Sequence, residues 1–156
     1  MSKSLLTNEM IKYAKQCKKK YGVPSSVTLG QIILESRGNY KNGLSKLAYE
    51  GKNLFGVKGS YNGKSVKMLT TEYIKGKKVR VYANFKKYPT FKESIFDHGK
   101  LLSNKRYTKH TKKAKTIKEY CKGIKNGGYA TNPKYDTLLY NVITSNNLTK
   151  YDNGVI

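Results

Sequence analysis

The sequence predicts an α+β fold, mainly α, in which a helical body carries a small β-hairpin lobe at about 57–88. Three observations point there. Apolar residues recur at helical spacing through most of the chain, and the period changes to alternation between about 66 and 85. A length of 156 residues with 37% hydrophobic content fits a single domain over 1–156. A chain of this size buries roughly 70% of its unfolded surface, enough for a core without staples.

The elements follow in order. Leu6, Met10, Tyr13, Ala14, Cys17 and Tyr21 share one helical face over 4–21, and lysines fill the other. Gly22 ends that helix and Pro24 precedes the next, over about 25–36. This second helix carries Val27, Ile32, Ile33 and Leu34, is apolar nearly all round, and should be central to the core. A short helix near Ser45–Tyr49 leads to Asn53-Leu54-Phe55-Gly56-Val57-Lys58. Val66, Met68, Thr70 and Glu72 then alternate, as do Val79, Val81, Ala83 and Phe85, with a hairpin turn at Lys75-Gly76-Lys77. Thr90 with Glu93, and Thr116 with Glu119, are capping boxes opening two further helices. The first of these runs to about Leu102, and Gly127-Gly128 terminates the second. Asn132-Pro133 supplies a cap and first-turn proline for a last helix through Leu138, Leu139, Val142 and Ile143.

The charge restricts the partners. There are 32 Lys+Arg against 9 Asp+Glu, for a formal net charge of +23, and only Arg37, Arg80 and Arg106 are arginines. Lysine is a point charge suited to diffuse attraction, whereas reading base edges uses the arginine fork. A polyanionic partner is therefore expected, without specific nucleic-acid recognition. No apolar run approaches the roughly 18 residues of a spanning helix, so membrane insertion is excluded. Met1 to Lys20 has no uninterrupted apolar run and does not read as a signal peptide. Cys17 and Cys121 are read as free buried thiols, and neither they nor His98 and His110 have metal-ligand spacing. No metal and no cofactor are expected, and the chain is expected to act as a monomer.

With nine acidic groups, each can be weighed. Glu93 and Glu119 belong to capping boxes, and Glu9 lies on a polar face. Asp136 sits in a first helical turn, and Asp152 falls in the tail. Asp97 and Glu50 read as helix-surface groups. Two carboxylates have no such explanation: Glu35, after Ile32-Ile33-Leu34, and Glu72, on the inward phase of a strand. A carboxylate pair presented by a helix end and a β-lobe suits glycoside hydrolysis, one group as acid and the other as base or nucleophile. Two mutually unrelated, salt-bridged glutamates are the plainer alternative.

The residues also resemble a known family. Leu29-Gly30-Gln31-Ile32-Ile33-Leu34-Glu35-Ser36 is similar to the "AQ...LES" helix of the bacterial endo-β-N-acetylglucosaminidase domain, found in autolysins, phage lysins and flagellar peptidoglycan hydrolases. Asn53 to Lys58 resembles its "NLFGIK", and Thr71-Glu72-Tyr73 its "T-E-Y". Phe85 and Tyr88 resemble its "F-x-x-Y", and Gly128-Tyr129-Ala130-Thr131 its "GYAT". The blocks occur in family order. One departs: the family continues "ESGWG" where this chain reads Glu35-Ser36-Arg37-Gly38-Asn39, and the chain has no Trp. The tryptophan's role passes to Tyr40 or is lost.

The resemblance implies a lysozyme-like fold with a substrate groove between body and lobe. It implies hydrolysis of the β-1,4 bond between N-acetylglucosamine and N-acetylmuramic acid in peptidoglycan. Glu35 is then the general acid, and Glu72 the base unless the substrate's own 2-acetamido group attacks. Tyr129 is expected at the groove, orienting sugar or intermediate, and Asn53, Phe55, Tyr40, Tyr73 and Thr131 are substrate-binding candidates. For Asn53 the structural alternative is a turn residue, for Phe55 a core residue, and for Tyr129 a buried aromatic closing the loop before the last helix. The acid role requires Glu35 among apolar groups and away from a close lysine. The partners would be peptidoglycan glycan strands and anionic wall polymers, met outside the cytoplasm after phage-type release, on a virion, or by excision from a longer protein. The alternative function is a non-catalytic basic module binding anionic polymers of wall or nucleic acid.

Overall fold

A computed structural model describes residues 5–154 and 156. Among the described residues seven α-helices surround one core: α1 (Asn8–Tyr21), α2 (Ser25–Ser36), α3 (Lys46–Gly51), α4 (Phe91–Leu102), α5 (Lys105–Thr111), α6 (Ile117–Asn126) and α7 (Tyr135–Ser145). A short strand β1 (Arg37–Lys41) follows α2, and the hairpin β2 (Ser65–Ile74) and β3 (Lys77–Lys86) stands between α3 and α4. A 3₁₀ turn (Leu148–Asp152) closes the described chain. The α+β, mainly helical fold expected from the periodicities is the one found.

Helix α2 is the axis of the body. Its residues from Ser25 to Ile33 are all buried, and it packs against α1, α7 and the 3₁₀ turn. Its apolar residues join Met10, Ala14 and Cys17 of α1, Ile95 and Leu102 of α4, Cys121 and Ile124 of α6, and Leu139 and Ile143 of α7. Fully burying side chains of this size contributes roughly 1.5–3 kcal/mol each. The thiols of Cys17 and Cys121 are free and buried, and burial pushes them up to about 11 and about 12 respectively.

In the hairpin, Glu72 pairs with Val79, Thr70 with Val81, Met68 with Ala83 and Val66 with Phe85. The two predicted alternations therefore lie opposite each other on the more buried face of the lobe. Lys75 and Gly76 both have positive φ (52° and 77°), which makes a two-residue turn of the handedness that strand twist favours. Both capping boxes are formed.

Several boundaries differ from expectation. Position 4 lies outside the described residues, and α1 starts at Asn8 because the Thr7 side chain accepts from Met10 N at 3.1 Å. The last helix starts at Tyr135, and Asn132 instead shapes the turn before it, accepting from Lys134 N at 2.9 Å. Helix α5 was not visible in the pattern because only Tyr107 and Thr111 of its seven residues are buried. Asp152 is not a tail group: it accepts from Ser26 N at 2.8 Å, placing a carboxylate on the N-terminal turn of α2. Asp97 is not an ordinary surface group either. It accepts from the Tyr88 hydroxyl at 2.6 Å and from Lys86 Nζ at 2.9 Å, joining α4 to the end of β3.

Helices α1 and α4 meet at Gly99, where any Cβ would overlap Cys17 Sγ and come within 2.9 Å of the Tyr21 ring. Gly99→Ala is expected to lower stability by about 1–3 kcal/mol, read as a reduced thermal midpoint. An unchanged midpoint would mean the two helices are packed more loosely than described.

Candidate active site

Glu35 occupies the last turn of α2, the one largely buried carboxylate that helix presents toward the lobe. Two groups hold this turn. The Ser36 hydroxyl donates to Ile32 O at 2.5 Å, and Arg37 N–H closes on Ile33 O. Among the described residues Glu35 has no ion-pair partner. Its hydrogen-bond partner is Tyr135, whose hydroxyl donates to Glu35 Oε2 at 2.8 Å. Gln31, one turn earlier on α2, donates through Nε2 to the same hydroxyl at 2.9 Å. The single hydroxyl proton of Tyr135 is thereby directed at Glu35. Burial raises the Glu35 carboxyl above its ordinary 4.5, and the Tyr135 hydrogen bond opposes part of that rise.

Glu72 lies across from Glu35 on the inward phase of β2. Lys58 Nζ reaches its Oε2 at 2.5 Å, with both side chains substantially exposed. Of the two unexplained glutamates, Glu72 thus has the ionic partner that the plainer alternative expected, and Glu35 does not. An exposed pair of this kind contributes about 1 kcal/mol or less, so it is readily rearranged.

Glu35, Gly56 and Glu72 are shared by two arms of one groove. One arm, about 350 Å³, is walled by Phe55, Val57, Tyr107, Tyr129 and the segment to Thr131. The other, about 400 Å³, lies between the start of α3 and the lobe, with Lys46, Lys58, Met68, Thr70 and Phe85 in its walls.

The aromatic arm is built in layers. Phe55 is stacked on His98 with ring centroids 3.8 Å apart and 10° between planes. Tyr129 meets His98 edge-on at 6.0 Å and stacks on Tyr135 at 5.4 Å. His98 is fully buried, and burial pushes its pKa down to about 3, so the ring is neutral. The loop carrying Tyr129 is clamped by Arg106, which donates to Gly127 O at 2.6 Å and Gly128 O at 3.1 Å. One of the three arginines therefore serves an internal turn.

The expected substrate contacts divide. Phe55, Tyr129 and Thr131 line the groove. Phe55 is also core, at 3% exposure. Asn53 is buried and fully used: it donates to Val57 O and Lys86 O, and accepts from Val57 N. It shapes the Phe55–Gly56 loop, which corrects the expectation of substrate contact. Tyr40 and Tyr73 line neither arm. Tyr40 leans on Tyr49 and donates to Glu50 at 2.7 Å, and Tyr73 falls on the outward phase because Glu72 takes the inward one. Tyr135, Gln31, His98 and Arg106 were missed. The signal available for Tyr135 was its place in the first turn of a helix directly after the Tyr129 segment.

Because the folded chain holds Glu35 above its unfolded-state value, ionising it opposes folding. That opposition is absent where both states are protonated and complete once pH exceeds the raised native value. Glu35→Gln is therefore expected to raise the thermal midpoint at neutral pH, with the gain fading as pH falls below the raised native value and gone well below 4.5. A gain that persisted in acid, or a loss at neutral pH, would contradict the burial argument.

Comparison with known proteins agrees with this architecture. Residues 11–148 match the Glucosaminidase family, described as mannosyl-glycoprotein endo-β-N-acetylglucosaminidase. The chain is 41% identical over 138 residues to the exo-glucosaminidase LytG of Bacillus subtilis, covering 85% of this chain and 48% of LytG. It is 35% identical over 137 residues to a probable N-acetylmuramidase of Lactococcus lactis, covering 84% of this chain and 30% of that protein. The chain thus spans half or less of these curated relatives. The crystallised catalytic domain of the autolysin Auto from Listeria monocytogenes superposes with a TM-score of 0.78 at 40% identity, over 93% of this chain and 84% of that one. A family model covering most of the chain, and a solved autolysin domain of the same fold, establish that the chain belongs to the glucosaminidase family of glycoside hydrolases.

Proposed function

We propose that the chain hydrolyses peptidoglycan at the β-1,4 bond between N-acetylglucosamine and N-acetylmuramic acid, with Glu35 as general acid. The observation that carries this reading is a largely buried carboxyl, raised in pKa, with no cationic partner among the described residues and facing a groove open on both sides. Tyr135 engages Oε2 and leaves Oε1 to carry the proton toward the glycosidic oxygen. As that proton transfers, the bond from C1 to the leaving oxygen breaks and positive charge develops on the ring.

Two routes supply the attacking group. Glu72 can accept the proton of a water that adds to C1, using the oxygen not engaged by Lys58. Alternatively the 2-acetamido oxygen attacks C1 and water later opens that intermediate, with Tyr129 orienting the acetamido group. The Lys58–Glu72 pair favours keeping the second route, because the charge of Glu72 is already committed to an ammonium. The site of action is the cell wall, outside the cytoplasm. The lysine-dominated charge would hold the enzyme on anionic wall polymers, an attraction that salt screens.

Glu35→Gln is expected to reduce wall lysis by at least about 10²-fold while cosedimentation with walls persists. Unchanged lysis would remove Glu35 from the chemistry. The bond is identified by borohydride reduction of the digest: glucosaminitol is the expected new end. Muramitol would overturn the bond assignment, and the relative named as a probable N-acetylmuramidase makes that a real alternative.

A further inference from the structure

The two arms meeting at Glu35 and Glu72 differ in charge, and so do the two sugars of the proposed substrate. Apart from the shared glutamates, the aromatic arm is lined by no charged side chain among the described residues. The opposite arm has two lysines, Lys46 and Lys58. Lys58 is spent on Glu72. Lys46, exposed in the first turn of α3, has no carboxylate partner among the described residues.

The lysine is also placed by something. Ser45 caps α3 by accepting from Ala48 N at 3.2 Å, and Ser45 N donates to Ser36 O at 2.8 Å. The base of Lys46 is therefore tied to the residue after Glu35. Gly38 packs directly on this corner, because a Cβ there would lie 2.7 Å from Ser45 Cα. A cation at a helix N-terminus is unfavourable for the helix itself, so Lys46 is not explained by the stability of α3.

Taking the proposed peptidoglycan activity as its basis, we infer that Lys46 is a specificity-determining residue that receives the acidic side of the glycan repeat. In peptidoglycan only the muramyl sugar bears a peptide stem, and that stem carries free carboxylates. The neutral N-acetylglucosamine then occupies the aromatic arm, against Tyr129 and Phe55, where acetamido and ring faces meet apolar surface. With Glu35 at the junction, this orientation sets the acid over the bond whose cleavage leaves N-acetylglucosamine at the reducing end. Charge on one arm, together with a strand direction that puts the attacked C1 on the Tyr129 side, thus selects which of the two alternating bonds is presented. The general field of the protein cannot do this, because it attracts both orientations equally.

The test uses one glycan in two forms: a tetrasaccharide with tetrapeptide stems as free acids, and the same compound with its carboxyls amidated. Binding is measured at about physiological ionic strength, where the general field is screened beyond about 8 Å, and on Glu35→Gln, so that turnover plays no part. The free acid should bind about fivefold tighter than the amide, the scale of one exposed ion pair. Adding Lys46→Gln should bring that ratio close to one, and Lys46→Glu should invert it. Lys150→Gln, which removes one charge that lines neither arm, should leave the ratio near fivefold. Equal binding of acid and amide to Glu35→Gln overturns the inference, as does a ratio that Lys150→Gln lowers as much as Lys46→Gln. Absence of lysis by the wild-type protein with the Lys46-dependent ratio intact would instead count against the proposed reaction and leave this arm assignment standing.

Discussion

The feature on which the site depends is the desolvation of one carboxyl, Glu35, at the end of α2, whose residues from Ser25 to Ile33 are all buried. A charged group there is unfavourable, and the surrounding structure offers it one neutral hydroxyl rather than a cation. That choice is notable in a chain of net charge +23, with 32 Lys and Arg residues. Keeping them away requires α2 to be enclosed by α1, α7 and the 3₁₀ turn, and requires the aromatic layer of Phe55, His98, Tyr129 and Tyr135 beside it. The neutral state of His98 serves the same end, since an imidazolium in that layer would sit one ring away from the groove.

Groove and body are coupled through backbone-directed side chains. Asn53 pins the Phe55–Gly56 loop to Lys86 O at the end of β3, so the loop under Glu35 is tied directly to the lobe. Arg106 does the same for the Tyr129 loop from α5. Asp97, through Tyr88 and Lys86, fastens α4 to the exit of the lobe. These three polar anchors hold the walls of the groove, while the apolar core holds the helix that carries the acid.

Much of this was legible in the sequence, for reasons that are local. Alternation placed Glu72 inward, in phase with Val66, Met68 and Thr70, because side-chain direction along a strand follows from backbone geometry alone. The pairing of Glu72 with Val79 came only with the two-residue turn at Lys75-Gly76, which the expected three-residue turn did not give. The capping boxes at Thr90 and Thr116 were legible because cap and partner lie three residues apart. Glu35 stood out as a carboxylate after three apolar residues. What stayed hidden involves partners distant in sequence: Tyr135 is 100 residues from Glu35, and Asp152 is 126 from Ser26. Asn53 and Tyr40 were drawn toward the groove by motif likeness, yet their polar atoms are committed to Val57 and Lys86, and to Glu50. Helix α5 stayed hidden because its seven residues bury too few side chains to set a period.

The central claim is that burial, moderated by Tyr135, holds the Glu35 carboxyl above its ordinary value without help from a neighbouring negative charge. A ¹³C NMR titration of the carboxyl carbons, with Glu35 assigned by its absence in Glu35→Gln, tests this directly. The account predicts a Glu35 midpoint above 4.5 that stays raised when Glu72 is replaced by Gln. A midpoint at or below 4.5, or one that falls to it in Glu72→Gln, would contradict the account.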